Sequence, residues 1–295
     1  MAPYVVRRAV YLLLVMIGAG VTVCVLLAFV PDAQVEASAT ERTLDNLRTL
    51  FTFDFGGLSK AENFPMWEVL WDRGLTSLLL ISGATVLLVV VGVGVVFFAV
   101  LHPGSYVLNG IVSGLRALST VPILVWAFIF LMLSGALFGV FPNYNNLARA
   151  SGLEVFLIYA TPILVLFLGD GLLSDLIDST KGEVERELSS AYVQSLRARG
   201  MDEKLHVVRG ITGPVIIAVS SKVSYLIGGT IVVEFIFNFQ GLAYQIYQSV
   251  VGVKDYPLVI AATMLFVVLV LGMHLFGEVA RRLLDPRIAV SGEVR

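Results

Sequence analysis

Charge, cysteine and histidine are all scarce in this chain of 295 residues, and each scarcity excludes something. Only 14% of residues are Asp, Glu, Lys or Arg against 57% apolar or aromatic, and the mean hydropathy is +0.88. A soluble domain of this size has too little interior to hide so much apolar surface, and about 25% charged residues would be usual. A single cysteine, Cys24, excludes an internal disulfide. His102, His206 and His274 lie far apart, without the close spacing of metal ligands. A net charge of −2 offers no basic field for nucleic acid. Lys60, Lys181, Lys204, Lys222 and Lys254 follow Ser, Thr, Glu, Ser and Val, so there is no G-x-x-x-x-G-K-[ST] loop to cradle ATP phosphates. No nucleophile–base pair or metal constellation sits in the apolar stretches, which argues against a membrane-embedded enzyme.

What is present is a series of long apolar runs, and the class they define is an all-α integral membrane protein. Hydropathy predicts six spans, at about 9–30, 75–101, 121–141, 153–173, 215–237 and 258–277. The first has no charge in 22 residues, a rise of roughly 33 Å against an apolar core of about 30 Å. Arg7-Arg8 before it and Ala37-Ser38-Ala39 after it resemble the flanks of a signal peptide, but the run is too long and the small residues too distant, so a retained signal-anchor is expected. With the N-terminus inside, the cytoplasmic segments hold thirteen Lys and Arg and the outer ones six, which predicts both termini in the cytoplasm. The outer face then has a long loop at 31–74 and shorter ones at 142–152 and 238–257. The inner face has loops at 102–120 and 174–214. No repeat or separate soluble domain is visible, so residues 1–295 read as one transmembrane domain.

The loop at 174–214 carries thirteen of the 42 charged residues. Thr180 with Glu183 matches a capping box. Leu188, Tyr192 and Leu196 are spaced as one face of a helix. Gly200 fits a turn or C-cap, and Asp202 fits the cap of a second helix leading to Ile211 and Pro214. The pattern predicts a short amphipathic helix, a Gly break and a helix running into the fifth span. Such a helix serves either to anchor the loop on lipid headgroups or to dock a cytoplasmic partner.

Ionisable groups inside spans are costly and face protein or water. Glu234, near the outer end of the fifth span, reads as a gate or path-lining residue, or as a carboxylate bonded to a neighbouring span. Lys222 reads as path-lining or as a snorkelling side chain. Asp170 and Asp175 fit a hydrated helix end, and His274 a packed histidine. Ser220, Ser224 and Gly228 form one small-residue ridge, and Gly135 and Gly139 another. Either ridge could pack helices within the bundle or against a second subunit. Gly241, Asp255, Tyr256 and Pro257 mark the outer loop as a gate or docking surface, although an aromatic belt explains its tyrosines equally well.

Six stretches in order resemble the permease subunits of ABC importers, in particular the dipeptide, oligopeptide and nickel permeases. Tyr192-Val193-Gln194-Ser195-Leu196-Arg197-Ala198-Arg199-Gly200-Met201 resembles the family's coupling motif in its "YV-RTARAKGL" form. Asn46–Ser59, Ser119-Thr120-Val121-Pro122, Val233–Leu242, Lys254–Val259 and Leu283–Ile288 resemble its "GDLG-S", "S-I-P", "VE-VF-PGLG", "RDYP" and "LLDPRI" segments. Gln194-Ser195-Leu196 departs from the Glu-Ala-Ala of the general motif, and Gln240 stands where Pro is usual. The resemblance implies a coupling helix between the fourth and fifth spans, using Tyr192, Gln194, Ser195, Leu196, Arg197, Ala198, Arg199, Gly200, Met201 and Asp202. Glu234, Phe237 and Lys222 are the candidate translocation-path or gate residues, and the resemblance implies that the partners are a second homologous permease, two ATPase subunits that bind ATP and Mg, and an extracytoplasmic solute-binding protein. The implied function is import of peptides or a related solute through the inner membrane, with no enzyme activity in this chain. Competing readings are an ion-gradient-driven transporter, for which Glu234, Lys222 and Asp170 are the candidate coupling groups, and a membrane scaffold subunit.

Overall fold

The computed structural model describes residues 2–30, 38–55, 57–60, 63–102 and 104–284. Twelve α-helices run in order: α1 Ala2–Ala28, α2 Ala39–Thr52, α3 Met66–Leu87, α4 Gly94–Leu101, α5 Tyr106–Ser119, α6 Ile123–Phe138, α7 Gly152–Leu168, α8 Leu172–Leu188, α9 Ala191–Ala198, α10 Lys204–Ile236, α11 Leu242–Val251 and α12 Tyr256–Leu284. A π-helical turn, Leu88–Val93, joins α3 to α4, so the two form one stretch of 36 residues, Met66–Leu101. Among the described residues, five stretches are long and apolar enough to cross a membrane: Val10–Ala28, Met66–Leu101, Gly152–Leu188, Lys204–Ile236 and Tyr256–Leu283.

The third expected span differs. Residues 121–141 hold only the 16-residue α6, ended by Gly139 in the left-handed conformation (φ 69°). It crosses as a sixth span only if counted with α5, from which it is bent by 102°. Pro122, which lacks an N–H and disfavours helical backbone before it, makes the break. The helices also outrun the hydropathy windows. α3 starts at Met66 and includes Glu68, Asp72 and Arg73, α8 continues to Leu188, and α10 starts at Lys204 and contains Pro214. Backbone hydrogen bonding does not stop where apolarity does, so hydropathy marks only the lipid-facing part of a helix. Besides 174–214, for which helices are predicted, three of the expected loops contain helices: α2 lies in 31–74, α5 in 102–120 and α11 in 238–257. α2 opens with a capping box that the sequence displays as Ser-x-x-Glu: the Glu41 amide donates to Ser38 Oγ (3.3 Å) and the Ser38 amide to Glu41 Oε2 (2.9 Å). Ser38, weighed above as part of a cleavage motif, is therefore a helix cap; Ala37 lies outside the described residues.

The chain divides into two compact units. The first comprises Met1–Leu79 and Glu234–Gly272. In it α2 lies against α1, where Asn46 Nδ2 donates to the Cys24 carbonyl (3.1 Å) and Cys24 Sγ to the Asn46 carbonyl (3.4 Å). Cys24, Leu27, Leu50, Val259 and Ile260 form its core, and Met66, Val69 and Leu258 a second cluster.

The second unit comprises Leu80–Val233 and Met273–Arg295. There α5 packs on α4 and α8, and α6 on α7. Arg116 and Asp178 (2.7 Å) and the bond from the Ser174 amide to Ser119 Oγ (2.9 Å) tie α5 to α8. α7 and α8 are separated by a three-residue 3-10 turn, Gly169–Gly171, in which Asp170 (φ 56°) and Gly171 (φ 75°) are left-handed.

Candidate coupling and translocation sites

The loop singled out by its charges folds as a helix–turn–helix. Thr180 lies buried in the middle of α8, so the expected capping box there does not form. The cap falls ten residues later, where Ser190 Oγ accepts from the Val193 amide (3.3 Å) and starts α9. Leu188 accordingly belongs to the end of α8, not to the face that carries Tyr192 and Leu196. α9 ends as the Gly predicts. Gly200 is left-handed (φ 70°), its amide donates to the Arg197 carbonyl (3.0 Å), and the Met201 amide donates to that of Leu196 (3.1 Å). This pair of bonds is a Schellman motif. Asp202 Oδ1 then accepts from the Lys204 amide (3.0 Å) at the entry to α10.

One face of α9 is buried and the other is open. Val193 packs with Val184, Val207 and Ile211 in a cluster to which Phe97, Val100, Leu188 and Val215 add partly buried surface. Leu196 is buried beside it, whereas Tyr192, Gln194, Ser195, Arg197, Ala198, Arg199, Gly200, Met201 and Asp202 are exposed. Two side-chain ties join α9 to the start of α10. Arg197 Nε donates to Glu203 Oε1 (3.0 Å), and Tyr192 Oη lies 3.0 Å from His206 Nδ1 with the rings edge to face. Sequence reasoning missed Val193, Glu203 and His206 as parts of this unit. Val193 was readable as an apolar residue three before Leu196; the two ties depend on the turn and had no sequence signal.

In the first unit, Glu234 and Phe237 are both buried. Glu234 Oε1 accepts from Ser77 Oγ (2.6 Å) and Oε2 from the Tyr244 amide (2.8 Å), while Ser77 Oγ accepts from the Leu242 amide (2.8 Å). These are the first and third residues of α11, whose amides have no partner within the helix. The Glu234 carbonyl also accepts from the Phe239 amide (2.8 Å) across left-handed Asn238 (φ 51°), which closes α10. Gly241 sits so close to the Glu234 carboxylate that a Cβ would overlap it. Glu234 thus holds together the end of α10 and the start of α11, the hydrogen-bonded alternative weighed for it. Asp255, also buried, accepts from Ser59 Oγ (3.0 Å) and the Lys60 amide (2.7 Å). Tyr256 and Pro257 beside it are half-buried.

Lys222 does not reach freely toward solvent. Its Nζ lies 3.0 Å from Asp175 Oδ2 on α8 and 5.6 Å from the Tyr225 ring centroid. The Ser220–Ser224 ridge faces α12. Ser220 closes on Gly277, where a Cβ would come within 2.6 Å of its Oγ, and Ser224 Oγ lies 3.0 Å from His274 Nε2. Gly228, the third residue of that ridge, faces open space. Gly135 makes room for Phe141, a Cβ there coming within 2.6 Å of the ring, and Gly139 ends α6.

A helical chain with five or six candidate spans among its described residues and few charges is a multi-pass membrane protein. Residues 91–290 match the family model of the binding-protein-dependent transport system inner membrane component, and the chain belongs to that family as a permease subunit of an ABC importer. It is 23% identical over 315 residues to the oligopeptide transport system permease protein AppB of Bacillus subtilis (strain 168), covering 98% of this chain and 99% of that protein. It is 26% identical over 246 residues to the dipeptide transport system permease protein DppB of Lactococcus lactis, covering 81% and 77%. A glutathione transport system permease protein of Pectobacterium atrosepticum is 29% identical over 141 residues, covering 46% and 45%.

Proposed function

We propose that this permease carries peptides, or a solute of similar chemistry, and that a cytoplasmic ATPase drives it by pushing on α9. The observation that carries the coupling reading is the division of α9 into a buried face, Val193 and Leu196, and an exposed polar face. A helix seated on a shared core and tied by Arg197–Glu203 and Tyr192–His206 moves together with the start of α10. A push on the exposed residues Gln194, Ser195, Ala198 and Arg199 therefore reaches the fifth expected span directly. The excess of Lys and Arg on this side supports a cytoplasmic position for α9 and for both termini. ATP and Mg bind to the two ATPase partners, a second homologous permease completes the path, and an extracytoplasmic solute-binding protein delivers the solute. The names of the similar permeases support the peptide class.

Ser195→Cys tests the docking by disulfide cross-linking to the ATPase in native membranes. The cross-link is expected in resting membranes, and its efficiency is expected to change when ATP is trapped. Arg199→Glu with Ala198→Glu is expected to reduce uptake at least about tenfold at an unchanged level of the chain in the membrane. Undiminished uptake, or uptake by the chain alone driven by a proton or sodium gradient, overturns the proposal.

A further inference from the structure

The second unit contains a cavity of about 310 Å³ lined by Gly169, Asp170, Ser224, Tyr225, Gly228 and Gly229, with Ile123, Leu166, Leu172, Leu226 and Val232 completing an apolar wall. It lies where α7 and α8 are interrupted. α7 rises about 26 Å over its 17 residues before the break, so the interruption falls within an apolar core about 30 Å deep. Irregular backbone at that depth is tolerated only where protein buries it or where it borders a cavity, and here it borders one. Asp170 is left-handed at the break and exposed. Residues held in such conformations cluster at functional sites, and an ionisable group inside a span points to one by default.

The charges around the cavity do not cancel. Lys222, one turn from Tyr225, is engaged by Asp175 at 3.0 Å. Ser224 is engaged by His274. Asp170 Oδ1 accepts from the Ile123 amide (2.9 Å), the first residue of α6, and no described residue bonds its Oδ2. The cavity therefore presents one carboxylate, bonded through Oδ1 to the N-terminus of α6 and open at Oδ2, in a mostly apolar chamber. Its volume corresponds to about ten water molecules and falls at the lower end of small-ligand pockets. Gly228 lines the same cavity, and a Cβ there would meet nothing within 4 Å.

We propose that this cavity is a binding station for a primary ammonium group, the free amino terminus of a peptide in transit, received by the Asp170 carboxylate. The occupant rests on the peptide reading above; the anionic chamber does not. An ammonium fits this chamber: it supplies the donors that Oδ2 lacks, and its charge complements Asp170.

The test uses the full chain in native membranes with Cys24→Ala, so that Gly228→Cys is its only thiol. Modification by cationic 2-aminoethyl and anionic 2-sulfonatoethyl methanethiosulfonate is followed by mass spectrometry of the purified chain. The cationic reagent is expected to react at least about tenfold faster, corrected for the two rates on a free thiol. Asp170→Asn, which keeps an oxygen for the Ile123 amide, is expected to bring the corrected ratio to within about twofold of unity. Millimolar Ala-Ala-Ala is expected to slow the cationic reaction, and N-acetyl-Ala-Ala-Ala is not. No reaction with either reagent, no charge preference, or a preference that survives Asp170→Asn overturns the site. Equal protection by the acetylated peptide, or protection by sodium or potassium ions alone, overturns the ammonium assignment. Uptake of radiolabelled Ala-Ala-Ala by cells with the unsubstituted chain separates the two proposals. Absent uptake overturns the peptide reading and its occupant; normal uptake without a charge preference overturns the cavity site alone.

Discussion

Ser77→Ala is the sharpest probe of how the C-terminal end of α10 is held. Ser77 is buried and its hydroxyl makes two bonds, accepting from the Leu242 amide and donating to Glu234. Leaving the Leu242 amide unpaired costs about 1–3 kcal/mol, and the lost bond to Glu234 a further 0.5–1.5 kcal/mol or so. The local loss is therefore about 2–4 kcal/mol, roughly 30- to 1000-fold in the opening equilibrium of the first turn of α11. Hydrogen–deuterium exchange of peptides covering residues 240–247 reads this directly. Their protection is expected to fall by that factor while peptides from α9 and the start of α10 keep theirs. Glu234→Gln is the companion. Its remaining oxygen still accepts from the Tyr244 amide and its NH₂ donates to Ser77 Oγ, so the loss is expected to be about 1 kcal/mol or less. Unchanged protection of residues 240–247 in Ser77→Ala, or a loss larger in Glu234→Gln than in Ser77→Ala, refutes the assignment of these two side chains as the cap of α11.

Three further outcomes follow from the geometry. Gly200→Val forces a β-branched residue into a left-handed position; the strain of about 1–3 kcal/mol is expected to unwind the end of α9, seen as faster proteolysis between 197 and 204, whereas Gly200→Asn is expected to be milder. Val193→Ala removes two methyl groups from a fully buried site and is expected to cost roughly 1–3 kcal/mol, measured as a lower Tm of the purified chain together with weaker ATPase cross-linking. Lys222→Met is expected to change stability by less than about 1 kcal/mol, because Asp175 is 65% exposed though Lys222 is only 12% exposed. A Lys222→Met, Asp175→Asn double-mutant cycle measures the pair, and a coupling well above that value would show that water does not reach Asp175.

The sequence by itself determined that this is a multi-pass membrane protein, because hydropathy is an average over many residues that no single contact can reverse. It determined local punctuation equally well where the signal and the structure share one turn. Gly200 ends α9 and Asp202 bonds the entry to α10, whereas Ser38, which starts α2 in its box with Glu41, is weighed above only as part of a cleavage motif. It did less well where one helix hides inside another pattern. Thr180 with Glu183 has the form of a cap, yet the apolar residues Leu176, Ile177 and Val184 keep α8 continuous through it, and burial outweighs a cap. What only the tertiary structure decided are the partners of the scarce charges. Glu234 meets Ser77 from 157 positions away and Asp255 meets Ser59 from 196. Lys222 meets Asp175, and Asp170 lines a cavity together with Ser224, Tyr225 and Gly228. A charge inside an apolar bundle must find a partner or a cavity, but which of the two it finds depends on chain segments brought close by folding, and no spacing along the sequence encodes that distance.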